Sequence, residues 1–467
     1  MTRSDLSRRQ FLQGGAALGA MAALGGPLEA RSAAPDPNPP GSMMGVPFEA
    51  RDKVRMGIIG AGARGQSILS DLLNVPDVEV RAVCDVDPLM IEATRQRFRK
   101  RGLPEPRIYG KGPRDFENLC RQEELDFVFI ATPWEWHTEQ ALCAMQNGKH
   151  VGVEVPAGVT LPQLWDLVRT SERTRRHCMM MENCCYGFNE LMVLAMARQG
   201  LFGTLTHGEA AYIHDLRMVM NQQDKEGRYI SEAAWRRAWH TRENGNLYPT
   251  HGLGPICWYM GIHRGDRLDS LVSMSSLEAS LGEDQEARFR GRGERYVCGD
   301  INTSVLRTAK GRTILIQHDT VSPRPYSRHN MIQGTKGAFA DYPSRLYLDE
   351  VARKTRSHAW LQGEEALAPY RERYTHELWT RVGEIARKTG GHGGMDFVML
   401  YRTVECIRKG LPPDFDVYDA AAWSAPFPLS VASVKGGGSL QTFPDFTGGH
   451  WKGDPPERRT PVPSPSA

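Results

Sequence analysis

The chain has 467 residues, of which 40% are hydrophobic and 24% charged, and this composition excludes a disordered or fibrous protein. Its 58 Lys and Arg nearly balance its 55 Asp and Glu, and the resulting net charge of +3 disfavours nucleic acid as a partner. No stretch approaches the roughly 20 consecutive apolar residues of a membrane span, so we predict no membrane anchor.

The N-terminal segment is typical of a twin-arginine export signal. Arg8 and Arg9 precede a weakly hydrophobic run of Gly and Ala, and small residues follow before position 35. We assign residues 1–34 to this signal; the alternative is a chance arginine pair in a disordered tail. No cysteine lies near its end, so the mature protein is expected in the periplasm or outside the cell, without a lipid anchor. Residues 35–51, rich in Pro and Gly, are predicted to form a linker or surface arm.

The next part of the chain, residues 52–185, has the pattern of a parallel β-sheet covered by helices. Apolar strands alternate with a Gly-rich turn and helical segments, and some strands are apolar throughout, as in strands buried on both faces. The predicted strands cover residues 54–59, 78–84, 125–131 and 150–153. We therefore predict an α/β fold whose N-terminal domain is a Rossmann sheet.

A Gly-rich turn between the first strand and its helix is the predicted cofactor site. Its glycines permit a tight turn and close approach of the backbone to a pyrophosphate, whose charge then lies at the positive end of the helix dipole. Asp85 ends the second strand, where a carboxylate accepts hydrogen bonds from ribose hydroxyls and favours NAD over NADP. Asp87 is the alternative ribose ligand. The residues of the turn assigned to NAD are Gly60, Gly62, Ala63, Arg64 and Gly65.

Further candidates follow the later strands, at the edge where ligands collect in parallel sheets. Trp134 and His137 come after the third predicted strand and are expected to line one face of the cofactor. Glu154 and Asn183 follow later strands and are expected to face the nicotinamide. Val155, next to Glu154, is assigned to the same cofactor site.

From residue 186 onward the pattern changes to strand-like runs joined by short turns. Such runs predict an open, mostly antiparallel sheet, and helices are predicted near residues 376–388 and 395–409. We assign residues 186–447 to a substrate-binding α+β domain. Residues 448–467, rich in proline, are predicted to be a disordered tail.

The nine cysteines are predicted to be packing residues. Their number is odd, and their spacing is not that of a small disulfide framework. Cys184 and Cys185 are adjacent, so a bond between them would be strained. His and Cys also occur without paired ligand spacing, and we predict no metal site.

Several of these motifs together resemble the glucose-fructose oxidoreductase and inositol dehydrogenase family (Gfo/Idh/MocA). They are the Gly-x-Gly-x-x-Gly turn after a strand, a Thr-Pro followed by His137, and a Gly-Lys-His-Val before Glu154-Val155-Pro156. The resemblance covers residues 54–345 and implies a Rossmann domain followed by an open antiparallel sheet. Many dehydrogenases of this family carry a lysine where this chain has Val155. Because valine cannot exchange a proton, an ordinary dehydrogenase mechanism lacks a principal residue here.

Three further segments resemble glycoside hydrolase family 109, the NAD-dependent α-N-acetylgalactosaminidases. They lie at residues 182–187, 245–255 and 324–328, and the second is the most specific. The resemblance implies hydrolysis without the usual pair of carboxylates. NAD⁺ takes a hydride from C3 of the sugar, a base removes the acidified C2 proton, the C1 leaving group departs, water adds and the hydride returns. This closed cycle suits an exported enzyme, because it needs tightly bound NAD but no recycling of NADH.

The predicted catalytic residues lie in the second of these segments. His251 is the expected general base at the C3 hydroxyl or the C2 hydrogen. Tyr248, three residues earlier, is expected to be its partner or an acid. The alternative is a histidine at a helix terminus and a tyrosine in the core. Arg236 is expected to hold substrate oxygens in a bidentate fork, a choice over Arg237 that the resemblance makes.

Three other side chains are further candidates for the substrate pocket. Tyr212 and Tyr326 are expected either to stack on a sugar face and bond its hydroxyls or simply to pack in the core. His392 lies in a Gly-rich segment at 390–394. This segment is either a loop that brings the histidine to the pocket or, as the pattern favours, a flexible connector.

The preferred interpretation is an exported glycosidase that acts on terminal α-linked N-acetylgalactosamine, in a small glycoside or at the non-reducing end of a glycan. The alternative is a periplasmic NAD-dependent sugar dehydrogenase or oxidoreductase of the wider family. A third interpretation is a non-catalytic sugar-binding protein with a Rossmann scaffold. The exposed face of an antiparallel sheet is a usual dimer surface, and a homodimer is compatible with this architecture.

Overall fold

The structure is a computed structural model that describes residues 41–289 and 294–453 of the chain. The predicted signal at 1–34, the start of the predicted linker and the end of the predicted tail lie outside these residues. The elements below belong to one unit, Ser42–Ala467. Among the described residues, no helix is both long enough and apolar enough to cross a membrane.

A parallel sheet forms the first part of the fold, as the sequence predicts, and it has six strands where the sequence predicts four. Its strands are β1 (Val54–Ile59), β2 (Val78–Cys84), β3 (Arg107–Tyr109), β4 (Phe127–Ile130), β5 (His150–Val153) and β6 (Cys178–Met180). They lie in the order β3-β2-β1-β4-β5-β6, and their ladders are parallel. The order reverses between β1 and β4, and ligands of such sheets bind beyond the carboxyl ends of the strands at this point.

Helices cover both faces of this sheet: α1 (Ala63–Leu72), α2 (Pro88–Lys100), α3 (Phe116–Gln122), α4 (Trp134–Gln146) and α5 (Leu161–Thr174). Every residue of β4 is 0% exposed, which is why its sequence is apolar throughout. The start of α5 is set by a capping box, in which the side chains of Thr160 and Gln163 each accept from the backbone N–H of the other.

A nine-stranded sheet forms the second part of the fold. Its strands are β7 (Leu205–Ile213), β8 (Leu268–Ser275), β9 (Asn302–Thr308), β10 (Thr313–Asp319), β11 (Met331–Gly334), β12 (Gly337–Ala340), β13 (Arg345–Leu348), β14 (Leu361–Gln362) and β15 (Gln441–Thr442). Their order is β14-β13-β12-β11-β7-β10-β9-β8-β15. The ladders are antiparallel as predicted, except that β7 and β10 run parallel. A long connection that includes β8 and β9 supplies the crossover that this parallel pair requires.

The helices of this second part pack on the sheet and against the parallel sheet. They are α6 (Phe188–Arg198), α7 (Arg217–Met220), α8 (Arg236–His240), α9 (Thr250–Met260), α10 (Ser280–Phe289), α11 (Asp349–Thr355), α12 (Glu364–Tyr374), α13 (Glu377–Thr389), α14 (Met395–Lys409), α15 (Val417–Ser424) and α16 (Pro426–Lys435). The helices predicted near residues 376–388 and 395–409 correspond to α13 and α14. Short 3-10 helices occur at Asn183–Tyr186, Ser231–Ala234, His392–Gly394 and His450–Lys452.

The described parts of the predicted linker and tail each contact the rest of the fold. Met43 and Phe48, in the predicted linker, are 0% and 3% exposed, and the N–H of Phe48 donates to the carbonyl of Leu411 at 3.1 Å. In the predicted tail, the carbonyl of Trp451 accepts from Gly265 N–H at 2.9 Å. Buried apolar side chains anchor the first segment, whereas four of the six described residues of the second, at 448–453, are exposed. The assignments of residues 35–51 to a linker or surface arm and of 448–467 to a tail stay predictions.

The nine cysteines all lie within the described residues. No disulfide joins any of them, and eight of them are buried while Cys143 is half-buried. Burial raises the pKa of the Cys178 thiol to about 12, as expected for an inert packing residue. The burial of these side chains agrees with the predicted packing role of the cysteines.

Candidate active site

The Gly-rich turn between β1 and α1 has the geometry of a pyrophosphate cradle. Gly60 has a φ of +90°, and a Cβ there would stand 2.7 Å from the backbone of Ala131. A Cβ at Gly65 would collide with the carbonyl oxygen of Gly60. Only glycine fits these two positions. At Gly62, by contrast, no described atom lies within 4 Å of the Cβ position, so the turn opens onto free space.

The start of α1 also suits an anion. Gly62 is its N-cap, no side chain caps the helix, and its first turn contains no acidic residue. The first backbone N–H groups of a helix have no partner within the helix, and they carry the positive end of its dipole. This terminus therefore fits the pyrophosphate of a dinucleotide.

The two carboxylates after β2 have different partners. Asp85 accepts hydrogen bonds from Ala61 N–H at 2.5 Å and from Asp87 N–H at 2.8 Å, so it is fixed beside the Gly-rich turn. The side chain of Asp87 instead caps α2, where it accepts from Leu89 N–H at 2.8 Å. Asp85 thus adjoins the Gly-rich turn, whereas Asp87 belongs to the start of α2, and Asp85 stays the predicted ribose ligand.

Arg64 connects the turn to the second part of the fold. Its Nε lies 2.6 Å from Glu154 Oε1, and its Nη1 lies 2.6 Å from Asp396 Oδ2. Asp396 also accepts from Asn183 Nδ2 at 2.6 Å. Burial would raise the pKa of Asp396, but Arg64 and His392 hold it well below its usual range. Two predicted cofactor residues, Arg64 and Asn183, thus meet at Asp396, and Glu154 joins them through Arg64. Asp396 was not predicted, although it stands in the first turn of the predicted helix at 395–409.

His392 lies at this network rather than in a free connector. Its Nδ1 is 2.7 Å from Asp396 Oδ2 and 3.5 Å from Arg64 Nη1, while 57% of its side chain is exposed. The hydrogen bond with Asp396 raises the pKa of His392. Of the two predicted alternatives, the structure favours the one in which the histidine reaches the site.

His137 and Trp134, predicted to line one face of the cofactor, are both buried. The ring nitrogens of His137 contact the carbonyl oxygens of Pro156 and Thr132 at 2.8 and 2.7 Å, and the side chain is buried. Through these contacts His137 connects the segment after β4 with the segment after β5. Trp134 is 3% exposed and packs at 5.7 Å from the ring of Tyr248. Val155 is also buried, at 2% exposure.

The predicted catalytic pair forms a hydrogen-bonded chain with a buried carboxylate. His251 Nδ1 lies 2.7 Å from Oε1 of Glu182, and its Nε2 lies 3.4 Å from the Tyr248 hydroxyl. A carboxylate only accepts, so Nδ1–H donates to Glu182 and Nε2 is left to accept from Tyr248. Burial would raise the pKa of Glu182, but His251 holds it below its usual value. Glu182 is the first residue of the motif at 182–187, and the sequence alone assigns it no role.

Glycines in the segment at 245–255 bring this chain together. A Cβ at Gly252 would collide with the backbone of Ala211 in β7, and one at Gly254 would stand 2.9 Å from the Glu182 side chain. Helix α9 can therefore approach β7 and Glu182 only with glycine at these positions. This close approach places His251, the one residue of α9 that is not buried, beside Glu182.

The structure separates Arg236 from Arg237. The Arg236 guanidinium lies 5.0 Å from the Tyr248 ring and 2.9 Å from Glu232 Oε2. Arg237 stacks on Tyr229 at 3.6 Å and pairs with Glu294. Arg236 is therefore the arginine of the site. Its charge opposes the effect of burial, which raises the pKa of Tyr248 well above its usual value.

Aromatic side chains extend the site away from His251. The Tyr212 ring is 4.6 Å from Tyr248, and its hydroxyl is 3.0 Å from Nδ1 of His214. Tyr326 lies 5.0 Å from the His214 ring, and its hydroxyl accepts from Arg328 Nη1 at 3.0 Å. The structure thus brings Tyr212 and Tyr326 together. His214 was missed, although it follows Tyr212 by two residues at the end of β7, the spacing that places side chains on one face of a strand.

Three possible metal ligands also meet here. Ligand atoms of Glu182, Cys184 and His251 lie within 4.8 Å of one another. The sequence predicts no metal site because these residues lack ligand spacing, and only the fold assembles them. Oε1 of Glu182 already bonds His251 and the N–H of Cys184, so the carboxylate has a defined role without a metal.

Comparisons with known proteins match both parts of the chain. The family model "Glycosyl hydrolase 109, C-terminal domain" matches residues 186–453, and "Oxidoreductase family, NAD-binding Rossmann fold" matches residues 54–182. A twin-arginine signal model matches residues 5–25. These matches confirm the predicted NAD-binding domain and the export signal, which indicates a periplasmic or secreted protein.

Whole-length relatives give the same result. A glycosyl hydrolase family 109 protein of Solibacter usitatus is 49% identical over 417 residues, which cover 88% of this chain and 92% of the relative. One of Shewanella amazonensis is 48% identical over 458 residues, covering 97% and 99%. Among solved structures, a levoglucosan dehydrogenase in complex with NADH is 16% identical, with a TM-score of 0.62 and coverage of 84% and 99%. This likeness confirms the predicted fold.

Proposed function

Because the chain belongs to glycosyl hydrolase family 109, we propose that it is an exported, NAD-dependent glycosidase that releases terminal α-linked N-acetylgalactosamine from a glycoside or glycan. The observation that carries the proposal is the hydrogen-bonded chain of Glu182, His251 and Tyr248. It provides a base and a proton donor at one site, at the carboxyl edge of an NAD-binding sheet.

The carboxylates of the site argue against ordinary glycoside hydrolysis. That reaction needs one neutral carboxylic acid and one free carboxylate across the scissile bond. Glu182 is bonded to His251, and Glu154 is paired with Arg64. Both carboxylates are thus engaged by basic side chains, so the site fits a reaction in which His251 and Tyr248 transfer the protons.

The residues that would hold NAD are those of the Gly-rich turn, with Asp85 at the ribose. Arg64 and Asn183, both bonded to Asp396, border the same crevice. NAD⁺ bound there would supply a reversible oxidation at C3 of the sugar, and this oxidation acidifies the hydrogen at C2. Val155 has no proton to exchange, so the lysine chemistry of ordinary dehydrogenases does not operate at this position.

The side chains of the site have separate roles in proton transfer, charge stabilisation and sugar binding. Glu182 fixes the tautomer and orientation of His251, whose Nε2 accepts a proton from the sugar, directly or through Tyr248. The raised pKa of Tyr248 keeps its hydroxyl protonated, so it can donate. Arg236, whose positive charge lies beside Tyr248, stabilises a developing negative oxygen. Tyr212 and Tyr326 bind the sugar face and its hydroxyls.

A panel of aryl α-glycosides, assayed without added NAD, tests the function. We expect release of the aryl alcohol from the N-acetylgalactosaminide, no net formation of NADH, and NAD in the supernatant of the denatured protein. Continuous NADH formation with added NAD⁺ would instead indicate a sugar dehydrogenase.

The isotope content of the product tests the mechanism. In heavy water, the released sugar should carry deuterium at C2, because the base removes that proton and solvent replaces it. Direct displacement at C1 leaves C2 untouched. Hydrolysis without deuterium at C2, measured by NMR over a range of pH, would exclude the elimination route and leave the hydrolase assignment in place.

A further inference from the structure

A cavity of about 760 Å³ adjoins the predicted sugar site. Tyr342 and Arg328 line it, and both contact Tyr326: the two tyrosine rings are 5.8 Å apart, and Arg328 Nη1 donates to the Tyr326 hydroxyl. His392, which contacts the Arg64 network, lines it as well. The cavity therefore borders both the residues assigned to the sugar and those assigned to NAD.

The size and lining of the cavity suit a sugar ring. Its volume lies within the range of about 300–1,000 Å³ that is usual for small-molecule sites. Phe188, Trp379 and Tyr342 contribute aromatic surface. Aromatic faces bind the apolar faces of sugars, while the polar side chains around them bind hydroxyls.

The charge of the lining is mostly positive. Among its carboxylates, Glu190 pairs with the buried Arg328, and Asp341 accepts from Asn189 and Ser344. The remaining basic side chains in the lining are Arg371, Arg387 and His392. Glu190 is offset by its ion pair with Arg328, and Arg371 and Arg387 together outnumber the remaining carboxylate of the lining, Asp341, so the cavity offers an excess of positive charge to a ligand.

Arg387 is the most available of these cations. Its guanidinium lies 5.1 Å from the Trp379 ring and 5.9 Å from the Phe188 ring, which hold it at the cavity. Within residues 41–289 and 294–453, Arg387 forms no ion pair with a carboxylate, whereas Arg371 pairs with the exposed Glu364. An exposed arginine held over aromatic rings is well placed to bind a carboxylate or sulfate in a fork.

We propose that this cavity is the aglycone subsite of the enzyme and that it takes a sugar bearing an anionic group, a carboxylate or a sulfate, which Arg387 and Arg371 bind. This inference rests on the proposed function, because it extends the site beyond the N-acetylgalactosamine ring. The substrate class that follows is an acidic glycan in which the terminal residue is linked to a uronic acid or to a sulfated sugar.

The test compares three disaccharides in which α-N-acetylgalactosamine is linked to galactose, to galacturonic acid or to 6-sulfated galactose. Free N-acetylgalactosamine is measured, and the preference is the ratio of kcat/KM for an acidic to the neutral disaccharide. We expect a preference of about tenfold, which Arg387→Met lowers about fivefold, the scale of one exposed charged contact. The acidic disaccharide with the higher kcat/KM ratio shows whether a carboxylate or a sulfate is the preferred group.

Lys388→Met is the matched control, since it removes the same charge from the next residue, which pairs with Glu384 and does not line the cavity. It should keep the preference of the wild type. A wild-type ratio near one, or an equal loss in both variants, would overturn the subsite while the hydrolase assignment stands.

If none of the three disaccharides is hydrolysed, the proposed function fails and direct binding decides the subsite. In that case, titration calorimetry with the galacturonic acid disaccharide replaces the kinetic readout. Weaker binding by Arg387→Met than by Lys388→Met supports an acidic subsite. Equal binding by these two variants rejects it.

Discussion

Replacing Glu182 by Gln removes the charge that holds the His251 ring and leaves the side-chain volume almost unchanged. The Glu182 side chain is fully buried, and its Oε1 lies 2.7 Å from Nδ1 of His251. A hydrogen bond to a charged partner contributes about 1.5–3 kcal/mol, and each ~1.4 kcal/mol changes a rate tenfold. If this bond supports the base in the transition state, Glu182→Gln should lower kcat by about 10- to 150-fold.

The measurement is kcat on an aryl α-N-acetylgalactosaminide, together with the NAD content of the purified variant. Glu405→Gln is the matched control: Glu405 is also a buried carboxylate, but its partners are Arg381 and Arg402, outside the site. It should lower Tm without a comparable loss of kcat. An unchanged kcat in Glu182→Gln, with NAD still bound, would refute the assignment of Glu182 and His251 as carboxylate and base.

Three further predictions follow from the site. Asp85→Ala should weaken NAD binding by about 1–3 kcal/mol in titration calorimetry. Asp87→Ala should lower only Tm, because Asp87 caps α2. Equal NAD affinities in the two variants would show that Asp85 is not the ribose ligand. Tyr248→Phe should lower kcat by at least about tenfold with KM little changed. A change in KM alone would show that Tyr248 binds the substrate equally in the ground state and the transition state. Dialysis against EDTA should leave kcat unchanged; a loss that Zn²⁺ restores would assign a metal to Glu182, Cys184 and His251.

Local patterns in the sequence were sufficient to predict the parallel sheet, the Gly-rich turn and the segment that carries Tyr248 and His251. These features depend on neighbours within a few residues: a strand of apolar residues, glycines where the backbone turns tightly, and a fixed spacing along one helix. The family resemblance added the chemistry of the pair, because its motifs are also local. For the same reason, α13 and α14 were predicted near their observed bounds.

Only the tertiary structure decided which side chains meet. Arg64 and Asp396 are separated by 332 positions in the chain, and their ion pair exists because α14 begins beside the Gly-rich turn. The different surroundings of Arg236 and Arg237, and the contacts of both His137 ring nitrogens with backbone carbonyls, likewise depend on which surface each residue faces. Sequence spacing describes one element at a time, whereas burial, pairing and the orientation of a side chain are set by the elements packed against it.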